Sequence, residues 1–170
     1  DPSKAKGIVK RDVIRIITPG TVIEGSILSE KTNNYLAAVA FLPDKTGISY
    51  IDVSTGEFKT FDIEGKNRRN ILINEIERIA PSEILLFGDI FAKDEEFISF
   101  LKSKNIVTTP YNLKDIFDIN LASQKLLKHF NISSLEGFGY LGEEPSLCAA
   151  SAIVDYLKET QKTSLLHVNS

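Results

Sequence analysis

The chain has 170 residues, 42% of them hydrophobic and 25% charged, with a formal net charge of −3. That balance excludes a disordered chain and predicts a packed core for one domain of ordinary size with flanking elements. It gives no general electrostatic case for a nucleic-acid-binding domain.

Residues 1–20 stand apart from the rest. Lys4, Lys6, Lys10, Arg11 and Arg15 are set against only Asp1 and Asp12. Residues 13–17 (VIRII) have the β-branched character of a strand, and Pro19-Gly20 stops it. The five basic side chains suit contact with DNA phosphates. They equally suit a solvated strand edge kept soluble by charge, which is the preferred reading. Residues 21–34 lack a firm period and read as a linker, with a short helical turn at 26–31.

The stretch 33–65 organises the rest of the chain. Residues 36–42 form an almost unbroken apolar run, suited to a strand buried on both faces. Pro43-Asp44-Lys45-Thr46-Gly47 is turn chemistry. Residues 48–53 alternate, with Ile48, Tyr50 and Asp52 opposed to Ser49, Ile51 and Val53. A second turn at Ser54-Thr55-Gly56 leads to 58–63, which alternates again. Three strands joined by short turns predict an antiparallel meander.

Residues 67–80 have apolar positions at helical spacing, with Asn67 as N-cap and Pro81 as the stop. Residues 83–87 (EILLF) read as a buried strand. A second helix is predicted over 94–104 with Asp94 as its cap, then a short strand over 106–109. A helical turn at 112–117 precedes a third helix over 120–129, capped by Asn120. The Gly-rich SSLEGFGYLG at 133–142 reads as a tight connection. The longest helix is predicted over 145–162, with Pro145 in its first turn and Leu147, Ala150, Ile153, Val154 and Leu157 on one face. Residues 163–170 read as a tail. The whole predicts an α/β, RNase H-like three-layer fold plus a C-terminal helix. Its five-stranded mixed sheet comprises 35–42, 48–53, 58–63, 83–87 and 106–109 in the order 3-2-1-4-5.

Short motifs of chemistry are scarce. Two histidines, His129 and His167, have no partner at metal-ligand spacing. The lone Cys148 excludes an internal disulfide, fits a reducing compartment, and lies in an apolar helix without a nearby base. No phosphate-binding glycine motif occurs. No catalytic, cofactor-binding or metal residue is therefore expected. Active RNase H-like enzymes hold divalent ions with acids on the first strand, a later strand and a helix. Here the first strand carries none. Asp52 and Asp62 are expected on outward or edge faces, and Asp89 lacks a first-strand partner. A metal-dependent nuclease or resolvase-like enzyme is the alternative that these acids disfavour. No apolar run approaches the roughly 20 residues of a membrane span and no secretory signal is present, so a cytoplasmic location is expected. The chain opens on Asp1-Pro2 and has no methionine, and so reads as a piece of a longer protein.

Several phrases, in order, carry a resemblance. DPSKAKGIVKRDVIRIITPGT, NNYLAAVAF, IDVSTGEF and LEGFGYLGEEPSLCAASAIVDYLKETQKTSLLHVNS resemble the MutS family of DNA mismatch-repair proteins. The resemblance implies a layout: 1–20 as the end of a mismatch-binding domain, 21–34 as linker, 35–142 as the connector domain, 143–170 as the start of the core (lever) domain. It implies a non-catalytic connector that passes the ATP state between modules and offers a docking surface for MutL, at residues the motifs do not reveal. The mismatch-wedging Phe-x-Glu and the Walker motif of the family are not in this chain. ATP, magnesium, mismatched DNA and homodimer formation are thus implied for the parent, and no cofactor for this piece.

Overall fold

A computed structural model of the chain describes residues 9–10, 34–52, 54–87, 93–111 and 114–169, with side chains over 34–52, 54–87, 93–111, 114–137 and 139–160. A two-residue strand, β1 (Val9–Lys10), lies at one edge of the sheet. Next to it is an antiparallel meander of β2 (Tyr35–Phe41), β3 (Lys45–Asp52) and β4 (Phe58–Glu64). Helix α1 (Arg68–Ile79) crosses over to β5 (Glu83–Phe87), and α2 (Glu95–Ser103) to β6 (Val107–Pro110). Both of these strands run parallel to β2. Helix α3 (Ile119–Phe130), a 3-10 turn (Glu136–Phe138) and α4 (Ser146–Asn169) complete the chain.

The sheet order is β1-β4-β3-β2-β5-β6. Its five longer strands follow the order 3-2-1-4-5, and the fold is RNase H-like. Strand β2 is central, which explains its lack of polar residues: it is covered on both faces. Ala37 and Val39 join Ile48, Tyr50, Phe61, Ile63, Ile84 and Leu86 under α1 and α2. Leu36, Ala38 and Ala40 join Ile51, Phe58, Leu85 and Phe87 under α3 and α4. The three alanines are fully buried, and their small side chains bring the helical layers close to the sheet.

Several boundaries differ from expectation. Only Pro43-Asp44 form the first hairpin loop, closed by the Leu42 N–H donating to Lys45 O at 3.0 Å. Thr46 and Gly47 belong to β3, because the hairpin is a two-residue one and pairing resumes at Lys45. Asn67 does stand at the N-cap of α1, which starts at Arg68 as expected, but its side chain makes no cap bond. The cap of α3 is Asp118, which accepts from the Leu121 N–H at 3.0 Å, so Asn120 lies inside the helix. Asp94 does cap α2, accepting from the Phe97 N–H at 3.0 Å, and holds Arg69 as well. Strand β6 begins one residue later than expected, at Val107. Helix α4 runs on to Asn169 through the residues expected to form a tail, since nothing in 158–169 breaks a helix. The strand expected at 13–17 and the turn at 26–31 lie outside the described residues.

Candidate functional site

Strand β4 touches both terminal elements, although the C-terminal helix also rests on β3 and β2. Along its open edge, β1 pairs Val9 with Thr60 and Lys10 with Lys59. On the face under α4, Asp62 Oδ1 accepts the Ser146 N–H at 2.8 Å and Oδ2 accepts the Ser146 hydroxyl at 2.6 Å. The first turn of a helix leaves backbone N–H groups without intrahelical partners. Here a strand carboxylate distant in sequence supplies what a local N-cap would. Gly47, paired with Asp62 across the sheet, makes the approach possible. A Cβ at Gly47 would overlap Ser146 N and the Pro145 carbonyl carbon.

The loop before α4 is also tied down. The Glu144 carboxylate accepts from the backbone N–H groups of Leu141, Gly142 and Glu143. Tyr140 is buried and its hydroxyl donates to Thr60 O at 2.9 Å. Desolvation pushes the Asp62 carboxyl up to about 6, against the two Ser146 donors that pull it down. Glu144 adds a smaller upward push and Lys45 a smaller downward one. Asp62 is therefore neither outward nor an unoccupied edge acid, as the strand alternation had suggested. It is half-buried under a helix that the alternation alone does not place.

The other acids are engaged in structure. Asp52 Oδ1 accepts from the Ser54 N–H at 2.9 Å and from the Ser54 hydroxyl at 2.6 Å, closing the second turn. Asp89 lies outside the described residues. Strand β2 carries no carboxylate. Among the described residues, no three His, Cys, Asp or Glu side chains are grouped to share a metal ion. Cys148 is buried, and desolvation pushes its thiol up to about 12, so it carries little thiolate at neutral pH. Burial, helped by Lys158, holds His129 below the usual imidazole range, and its ring meets Phe130 edge-on at 4.7 Å. No described helix is long and apolar enough to cross a membrane.

Of the five basic residues near the N-terminus, Lys10 sits in β1 directly opposite Lys59. Lys4, Lys6, Arg11 and Arg15 lie outside the described residues. Sequence reasoning missed the Asp62–Ser146 joint. One signal was present: a glycine inside a strand, which marks a close backbone approach. It also missed a second tie, in which Glu83 Oε2 accepts from the Thr109 hydroxyl at 2.6 Å and the Tyr156 hydroxyl at 2.7 Å. No sequence spacing links those three residues.

Residues 34–169 match the family described as MutS domain II. The chain is 44% identical over 170 residues to the DNA mismatch repair protein MutS of Syntrophomonas wolfei, covering 100% of this chain and 20% of that protein. It is 41% identical over 169 residues to the DNA mismatch repair protein MutS of Halothermothrix orenii, covering 99% of this chain and 18% of that protein. The chain thus spans about one-fifth of the length of these relatives. Among solved structures it is similar to T. thermophilus RuvC in complex with a Holliday junction substrate, with a TM-score of 0.48 and 8% identity, over 75% of this chain and 97% of that one. Because the family match runs from β2 through both helical layers to α4, the chain belongs to the MutS domain II family.

Proposed function

We infer that the chain is the non-catalytic connector of a MutS-type DNA mismatch-repair ATPase. It couples a mismatch-binding domain to lever and ATPase domains and offers a docking surface for MutL. The observation that carries this reading is the family match over 34–169 in a chain that spans a fifth of its relatives' length. In this reading 1–20 belongs to the mismatch-binding domain, 21–34 is a linker, 35–142 is the connector, and 143–170 begins the lever. The parent is a cytoplasmic homodimer that binds mismatched DNA and uses ATP and magnesium in domains other than this one. The engagement of Asp52 and Asp62 in a turn and a helix cap supports a scaffold over a nuclease.

The basic segment has a place in this reading as well. Lys4, Lys6, Lys10, Arg11 and Arg15 make at most a minor phosphate contact, and the isolated chain binds duplex DNA weakly with no preference for a mismatch. Such binding fades with modest added salt, because few phosphates are neutralised.

The test is site-by-site cross-linking of the full-length parent to MutL. Single cysteines are placed over the surface of 35–142, with mismatched DNA and ATP present. A contiguous patch of cross-linking positions is expected. Cross-links confined to other domains overturn the docking role. Incubation of this chain with branched and duplex DNA plus magnesium or manganese is expected to give no cleavage.

A further inference from the structure

We propose that β4 is the transmission element of this domain. The four residues Lys59–Asp62 receive the N-terminal strand on one side and the C-terminal helix on the other, so that displacing α4 loosens or shifts β1. This rests on the connector reading and names the path within it.

The geometry is local and continuous. Thr60 and Lys59 pair with Val9 and Lys10 of β1. Thr60 also accepts the Tyr140 hydroxyl through its carbonyl, and its own hydroxyl lies 2.8 Å from Ser49 Oγ. Two residues further along the same strand, both Asp62 oxygens hold Ser146. The α4 side of the joint cannot slide freely. Ser146 is fully buried, and the backbone at Pro145-Ser146 rests on Gly47 with no space for even a methyl group. Close-packed contacts of this kind shift between discrete arrangements and do not deform smoothly. A pull on α4 therefore has to break the Asp62 bonds or carry β4 with it.

The β1 side is the weak side. It lies at the edge of the described sheet, where β4 is its paired neighbour. A strand held at a sheet edge by one neighbour draws its stability from that neighbour and is among the first elements to open. A change in β4 is thus read out in β1 before the central strands respond.

The test is hydrogen exchange of the 170-residue chain, following the backbone amides of Val9 and Lys10 and, as reference, those of β2. The variants are Ser146→Ala, Asp62→Asn and Tyr140→Phe. The control is Ile76→Val, a buried change on the opposite face of the sheet. Exchange in β1 is expected to rise about fivefold in Ser146→Ala and Asp62→Asn, with β2 nearly unchanged. Tyr140→Phe should give a smaller rise and Ile76→Val none. Equal β1 exchange in the joint variants and the control overturns the proposal, as does a rise shared by β1 and β2. Ser146→Ala keeps the helix and removes only one hydroxyl, so the test survives if Asp62→Asn does not fold. MutL cross-linking in the parent does not depend on this path. Loss of the exchange effect with cross-linking intact rejects the path alone, and loss of cross-linking rejects the MutL-docking part of the connector reading.

Discussion

The Tyr156 hydroxyl donates to Glu83 Oε2 at 2.7 Å, fastening α4 to the start of β5. The Thr109 hydroxyl donates to the same oxygen from β6. One carboxylate oxygen thus links a helix and two strands. Burial first, and Glu83 second, pushes the Tyr156 phenol up to about 12. Tyr156→Phe removes one of two donors to a partly buried carboxylate. It is expected to cost about 1–2 kcal/mol in urea unfolding, with an unchanged slope. In a double-mutant cycle with Thr109→Val the two losses should not add, because the donors share an acceptor.

Gly47→Ala is expected to be more damaging than its small size suggests. The added methyl meets the backbone of Ser146 and Pro145 and no flexible side chain. Overpacking of this sort costs roughly 1–3 kcal/mol, and here it also displaces Ser146 from Asp62. The midpoint of urea unfolding should fall. Wild-type stability in Gly47→Ala would show that α4 does not rest on β3.

Asp62 should make stability depend on pH. Its folded value, about 6, lies above its ordinary 3.8. The folded chain therefore binds this proton more tightly than the unfolded chain does. The resulting stabilisation is complete below about pH 4 and is lost as pH rises through 6, a change of at most about 3 kcal/mol. Asp94 works in the opposite direction. Its bond to Arg69, and then the Phe97 N–H, hold its carboxyl below the usual range, and that contribution disappears as the carboxyl becomes protonated in acid. The pair is discriminated by urea unfolding across roughly pH 4–8. Asp62→Asn should flatten the slope between about 4 and 6, and a slope that survives would place the titrating group elsewhere.

Ala80 ends α1 in the left-handed region, with φ at 50°, its N–H donating to Ile76 O at 2.8 Å. A side chain there costs about 1–2 kcal/mol relative to right-handed backbone, and glycine avoids that cost. Ala80→Gly is expected to raise stability by about 1 kcal/mol, seen as a higher melting temperature.

The fold was legible where the signal is local. The apolar run of β2, the alternation of Ile48 to Ile51 and of Phe58 to Ile63, and the Asp94 cap each state their burial within a few consecutive residues. The illegible part depends on residues far apart in sequence. Asp62 looked outward because alternation sorts side chains into two faces but does not say which face a later helix covers. Gly47 looked like turn chemistry because the same residue serves a left-handed turn and a close helix approach. Asn120 looked like a cap, yet Asp118, two residues earlier, reached Leu121 first. The joint at Ser146 needs Gly47, Asp62 and Pro145 together, and no spacing in the chain connects them.

Helix α4 offers the sharpest test of the coupling role, and the position of the break decides what is learned. Ile153 is fully buried against the sheet. Ile153→Pro would remove a helix bond and a core side chain together, with a loss well above the roughly 3 kcal/mol of a helix break alone. A functional defect in that variant would follow from a damaged domain. Thr160 is exposed, one turn beyond Tyr156, and its hydroxyl donates to Tyr156 O at 2.8 Å. Thr160→Pro kinks α4 just past Leu157, the last residue described as buried there, and leaves the packed half in place. The isolated chain should keep its near-wild-type melting transition, with helix content lost only beyond the kink. In the full-length parent, initial mismatch affinity should be nearly unchanged, while ATP-dependent release into sliding should be slowed. The two readouts separate the alternatives. Normal sliding in Thr160→Pro would show that α4 is not the mechanical link. Lost mismatch affinity would show that the helix supports the reading domain directly, a role the connector assignment does not include.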